Sequence, residues 1–300
     1  MRASALVNLF TTLVALIFVS SIIASLVGAV ELNWGLSYPA PWVQVKGGNT
    51  YAWQGFGQII IPTAATPRYF ILDQVAGHPG IAVCQSGGCE LQTNYGSGQV
   101  SSQGWKVTAQ PRAVGAYDFD LYNRRLKPAT CPSASSIPSS DIVRAGVHCY
   151  TPSGSSINIT AGANVVVPGT VSSIVLVNGN LKIDKPIRVI SGGFVAFIAS
   201  GDITIDPSIG TNPPDNLPDV DGIYIATKKF SVETSGDPMS ERQFVGRGTF
   251  IGYQGVSLRR DLGRFNSTYP AELFIYETDF NRNADPLLLR SQILWQQVAP

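Results

Sequence analysis

The longest apolar run in the chain is its first. From Ala3 to Val30 there are 28 residues without a charge, rich in Leu, Val, Ile, Ala and Phe and ended by Glu31. As a helix this run reaches roughly 40 Å, more than the ~30 Å hydrocarbon core of a bilayer. Arg2 is the only charged side chain on its N-terminal flank, so the positive-inside bias predicts a cytoplasmic N-terminus, with residues 31–300 outside. A cleaved signal peptide is the competing reading, because Val27-Gly28-Ala29 offers small residues; its apolar region would usually be about 7–15 residues.

Beyond the apolar run the period changes. Residues 31–129 read as short strands broken by Gly, Pro and Ser, clearest at Gln58–Ile61, Tyr69–Leu72 and Lys106–Thr108. A Ser/Pro-rich tract follows over 130–156. From Ile157, apolar runs alternate with Gly, Asn and Asp corners: Ile174-Val175-Leu176-Val177 precedes Gly179-Asn180-Leu181-Lys182-Ile183-Asp184, and Phe194 to Ala199 precedes Gly201-Asp202-Ile203-Thr204-Ile205-Asp206. The pattern G-[ND]-[LI]-x-I-D recurs after 22 residues, with decayed units at Gly222–Ala226 and Gly246–Val256. Two or more short strands per unit of that length predict a coil that buries its apolar side chains only by stacking on the next.

The fold expected is all-β. It comprises a membrane anchor or uncleaved signal over 1–30, a small β domain over 31–129, a linker over 130–156, and a right-handed parallel β-helix or β-solenoid with a C-terminal cap over 157–300. An antiparallel β-sandwich is the alternative. Glu272–Tyr276 reads as a strand of the cap, and Asp285-Pro286 as the start of a short helix.

Composition narrows function more than it names it. Charged residues are only 14% of the chain, and 21 Lys and Arg balance 20 Asp and Glu, which leaves no basic surplus for nucleic acid. Two His residues, His78 and His148, cannot build a histidine-rich metal centre, and phosphate-loop, zinc-protease and nucleophile-elbow motifs are missing from the sequence. Four cysteines, Cys84, Cys89, Cys131 and Cys149, suit an exported chain with two disulfides, sequential pairing being favoured.

Several stretches carry a resemblance: Pro41-Trp42-Val43-Gln44, Gly47 to Ala52, Gly193 to Ile205, Pro270 to Tyr276, and the closing Trp295 to Pro300. They resemble uncharacterised, N-terminally anchored envelope proteins of small-genome bacteria. The repeated Gly-Asp-Ile-Thr-Ile pattern is also similar, more loosely, to bactofilin-type β-helical assembly proteins. The resemblance implies a structural role at the envelope and brings no catalytic residue with it.

Three groups of side chains invite chemistry. Trp34, Tyr38, Trp42, Tyr51, Trp53 and Phe56 concentrate aromatics, and Trp42, Tyr51 and Trp53 are candidates for a glycan platform; an interfacial belt and core packing are the plainer account. Asp215, Asp219 and Asp221 could offer calcium its oxygens, although the spacing fails the EF-hand pattern. Asp184, Asp202 and Asp206 are the carboxylates a β-helical glycosidase would use, against a role as corner residues satisfying turn amides. Arg259, Arg260 and Arg264 form a basic patch expected to face solvent. Asn158 and Asn266 begin N-glycosylation sequons. No catalytic residue is assigned, and no cofactor beyond a possible calcium. The expectation is a membrane-anchored, extracytoplasmic structural or adhesive protein, partnered by the membrane through residues 3–30 and by an envelope polysaccharide or copies of itself. A carbohydrate-active or glycan-binding protein, and a pilus-like assembly subunit, are the alternatives.

Overall fold

In the repeat region, alternate side chains point to opposite sides of each short strand, and glycine or asparagine turns the corner before the next. The computed structural model describes residues 41–46, 118–128 and 130–284 (apart from Ala161, Ala163, Asp215 and Asn216), Leu288, and the backbone of five further short strands. The anchor segment lies outside the described residues; among those described, no helix is long and apolar enough to cross a membrane.

Six strands come first: β1 (Val43–Lys46), β2 (Thr50–Ala52), β3 (Ile59–Ile60), β4 (Phe70–Asp73), β5 (Ala82–Cys84) and β6 (Lys106–Thr108). Helix α1 (Phe119–Leu126) follows, capped by Asp118, whose Oδ1 accepts from Leu121 N at 3.0 Å. Then come β7 (Ser133–Ala134), β8 (Ser136–Pro138), α2 (Ser139–Ile142), β9 (Gly146–Pro152), β10 (Asn158–Thr160) and β11 (Val165–Val167). The regular coils contain β12 (Ser172–Val177), β13 (Leu181–Ile183), β14 (Ile187–Val189), β15 (Phe194–Ala199), β16 (Ile203–Ile205), β17 (Val220–Ala226) and β18 (Lys229–Val232). The chain continues through β19 (Phe244–Gly252), β20 (Gly255–Leu258), β21 (Glu272–Ile275) and α3 (Thr278–Asn283).

Among the described residues the strands pair in parallel, and they make a β-solenoid of about five turns. Ile174 pairs with Ala196 and Leu181 with Ile203, the 22-residue step of the repeat. The decayed units fall on β17 and on β19 with β20. One sheet runs β7-β9-β12-β15-β17-β19-β21-β1-β4, and a second runs β13-β16-β18-β20-β3. The core between them includes a ladder of rings: Phe197 stacks on Tyr224 at 5.3 Å and Tyr224 on Phe250 at 5.2 Å. Tyr224 satisfies its hydroxyl by donating to Asp221 O at 3.0 Å.

The long sheet is buried on both sides in β15 and β17. Its outer side is apolar too, and α1 packs on β12 and β15 while α3 packs on β15, placing Phe119, Tyr122, Leu126 and Phe280 in the core. The periodicity of residues 31–129 predicts no helix, yet Phe119, Tyr122 and Leu126 form one apolar face of α1.

The expected split between a β domain at 31–129 and a solenoid from 157 does not match the pairing. β1 joins β21, with Val43 opposite Glu272, and β3 joins β20. The N-terminal strands therefore continue the stack beyond the C-terminal coil, and residues 39–300 cluster as one unit. The stretch taken as a linker supplies β7, β8, α2 and β9, because the last of these completes the long sheet beside β12. Cys131 and Cys149 are disulfide-bonded across this first coil, with Cα atoms 4.5 Å apart. Cys89 and the side chain of Cys84 lie outside the description.

Candidate functional site: the polar corner and face of the solenoid

Where β12, β15, β17 and β19 turn into the second sheet, the corner residues stack in register. Asn178 N donates to Tyr150 O, Ser200 N to Val177 O, Thr227 N to Ala199 O and Tyr253 N to Ala226 O. Side chains reinforce the stack. Asn180 Oδ1 accepts from Asp202 N and Asp202 Oδ1 from Lys229 N, each at 2.9 Å, while Asn180 Nδ2 donates to Ser155 O at 2.9 Å. The G-[ND] element of the repeat is thus a staple between successive coils, which explains the small polar side chain at that position.

On the second sheet Leu181, Ile183, Ile203 and Ile205 point inward, and Lys182, Thr204, Ser231 and Ser257 align in register on the other face, where the two serines are buried. Asp184 and Asp206 follow the paired residues Ile183 and Ile205 on adjacent coils, which makes them the pair a glycosidase reading would test. Their chemistry points elsewhere. Asp184 Oδ1 accepts from Ile159 N at 3.3 Å, and Asp206 pairs with Lys182 and accepts from Ser208 N. Burial pushes the Asp206 carboxyl upward, but Lys182 and Ser208 outweigh it and hold the group below the ordinary carboxylate value. A glycosidase requires one carboxyl to stay protonated. Two acids do rise, Asp221 and Glu272, the latter pushed up to about 8 by burial, and both are buried.

The other sequence candidates take structural posts. Trp42 is buried, with its indole N–H donating to Asn266 O at 2.8 Å, so it presents no face to a glycan. The Tyr51 side chain, Trp34, Tyr38, Trp53 and Phe56 lie outside the described residues. So does Asp215. Asp219 Oδ2 accepts from Val245 N at 2.8 Å. Asp221, pushed upward by burial, is held by a two-pronged contact from Arg247, at 2.8 and 2.7 Å, and by Val189 N. Both carboxylates therefore bond within the solenoid, and among the described residues no cluster of His, Cys, Asp or Glu converges as a metal site. Asn266 is buried, its carboxamide bonded to Asp261 and to Leu262 N, which removes it as a glycosylation acceptor.

The basic patch divides. Arg259 pairs with Glu233 and Arg264 is exposed, but Arg260 is completely buried. Its guanidinium donates to Glu233 O and Arg242 O, at the two ends of the loop between β18 and β19, and to Asp206 O, just after β16. Nothing in the Arg-Arg-Asp string distinguishes this residue from its solvated neighbour. Arg247 likewise ties β17 and the end of β14 together, lying 5.8 Å over the Phe280 ring of α3.

The second sheet's corner also carries an open notch of about 270 Å³, with Gly154, Ser155, Asn178, Ser200, Gly201 and Lys228 among its lining. Its walls are serine, asparagine, glycine and Pro152, with Lys228 as the charged residue.

No protein-family model matches the chain, and no curated protein does. Among solved structures, an ice-binding protein 1 domain from Shewanella frigidimarina aligns with 81% of this chain and 96% of its own, at 13% identity and a TM-score of 0.30. That similarity is too distant to bear on ligand or activity.

Proposed function

We propose that this protein is a non-catalytic structural or adhesive component of the cell envelope, anchored by its apolar N-terminal segment and displaying the solenoid outside the membrane. The observation that carries the reading is the use of the outward carboxylates: Asp184, Asp202 and Asp206 are bonded into neighbouring coils, where they hold the shape of a regular polar surface. The Cys131–Cys149 disulfide favours an oxidising compartment, and the uncharged run from Ala3 to Val30 favours attachment to a bilayer. A rigid stack with repeating surface groups suits contact with a repeating partner, either an envelope polysaccharide or further copies of the chain.

The test is incubation of the full-length, disulfide-intact chain with cell-wall and exopolysaccharides, reading retained polymer, released oligosaccharide and self-association together. Retention or assembly without release is the expected result. Release of oligosaccharide would overturn the non-catalytic reading.

A further inference from the structure

We infer that the notch along the Asn178–Ser200–Lys228 corner is a binding site for an extended acidic polysaccharide, a uronate-type chain laid along the solenoid axis. The inference rests on the adhesive reading and assigns its ligand class and its location. Three observations lead to it.

The notch runs lengthwise. Its lining comes from four successive coils, through Gly154 and Ser155, Asn178, Ser200 and Gly201, and finally Lys228. Coils of a parallel stack lie about 4.8 Å apart, so hydrogen-bonding groups recur at that step, and a pyranose residue in an extended chain advances by a comparable distance.

Apart from Pro152 the lining is polar or glycine, and its floor is kept low by glycine. A Cβ at Gly201 would come within 2.1 Å of Asn180 Oδ1, and one at Gly179 within 2.6 Å of the Pro152 ring, so neither position tolerates a side chain. Ser200 Oγ donates to Asn178 Oδ1 at 3.2 Å, a bond that does not engage the Asn178 carboxamide N–H groups.

The charge is one-sided. Lys228 is exposed and is the one charged residue among the lining, with the exposed Lys229 next to it in the chain. Asp202, the acid stacked beside them, turns one oxygen to the backbone N–H of Lys229. A lone ammonium among otherwise uncharged lining residues selects a chain that carries its own anions.

Titration calorimetry of the full-length, disulfide-intact protein with oligogalacturonate, and with a neutral oligogalactan of equal length, tests the assignment. The acidic oligomer is expected to bind and the neutral one to bind at least about tenfold more weakly. Lys228→Glu should weaken the acidic oligomer about tenfold at low salt, an effect that shrinks as salt rises. Gly154→Trp should abolish binding by filling the notch, and it should fold normally because a Cβ at Gly154 meets nothing within 4 Å. Arg264→Glu, with the same change in net charge at a distant exposed site, should leave affinity unchanged. Equal losses from Lys228→Glu and Arg264→Glu would overturn the site in favour of diffuse electrostatics. Binding that survives Gly154→Trp would overturn the notch while leaving the adhesive reading intact. Equal affinity for the neutral oligomer, or binding to neither while the protein retains another envelope polymer, would overturn the ligand class alone. Shortening of either oligomer would overturn the adhesive reading itself.

Discussion

Replacing Arg260 by Met is expected to destabilise the protein by about 4 kcal/mol. The guanidinium is fully buried, 5.6 Å over the Phe244 ring, and donates to Arg242 O at 2.9 Å, Asp206 O at 3.1 Å and Glu233 O at 3.2 Å. Burial depresses its proton affinity, but the nearby carboxylates Glu241, Glu272 and Asp219 oppose this, and arginine stays charged at neutral pH. Each hydrogen bond from a charged donor is worth about 1.5–3 kcal/mol, and the three do not simply add, because the methionine chain refills part of the volume. Breaking a buried charge from its partners typically costs about 3–5 kcal/mol, which sets the figure. Urea unfolding with the disulfides intact measures the loss as a shift in midpoint at constant slope. Amide exchange should accelerate at Gln243 and Thr211, whose mutual backbone bonds lie beside the staple. Arg260→Lys should fall between the two, keeping the charge without the fork. A loss below about 1 kcal/mol, with unchanged exchange, would refute the view of Arg260 as the tie between three coils.

Three further outcomes follow from the same geometry. Glu272 has a folded value of about 8, above its ordinary 4.5, so its contribution to stability is full below the ordinary value and fades as pH rises towards 8. Glu272→Gln should therefore gain on the wild type by up to about 1.4 kcal/mol per pH unit between those values, and a pH-independent difference in chemical unfolding would contradict the assignment. Tyr224→Phe keeps the ring stack and removes the bond to Asp221 O; a loss of about 1 kcal/mol in thermal unfolding is expected, and none would mean that the hydroxyl finds water instead. Replacing Cys131 and Cys149 together by Ser opens a crosslink of sequence separation 18 and should cost about 3 kcal/mol, with faster exchange in β9; exchange loosened equally in every coil would speak against a local staple.

The repeating half of the fold is legible because its period is local. The apolar run and G-[ND]-[LI]-x-I-D string state both the strand and the corner, and Leu181 and Ile203 sit opposite one another as the spacing requires. Long-range features leave weaker traces. The pairing of Val43 with Glu272 depends on which coil ends meet, which neither segment's alternation records. Helix α1 carries an aspartate cap and apolar residues at 119, 122 and 126, a signal overshadowed by the glycine and proline around it. Arg260 and Trp42 mislead for opposite reasons. Charged residues are almost never fully buried, and an aromatic cluster invites a ligand, yet the first closes the core and the second hydrogen-bonds a carbonyl within it.

The stacking of the N-terminal strands on the C-terminal coil also sets the order in which the molecule can be finished. Trp42 and Asn266, which share a hydrogen bond, are 224 residues apart, and β1 acquires its neighbour β21 only after nearly the whole chain has been made. The middle coils can stack as they emerge, and β1 can pair early with β4, whereas its other edge waits for β21. Closure over so long a loop is intrinsically slow and leaves β-edges exposed meanwhile. Joining β1 to β21 is therefore the slowest pairing to be expected in this stack, since it closes the longest loop.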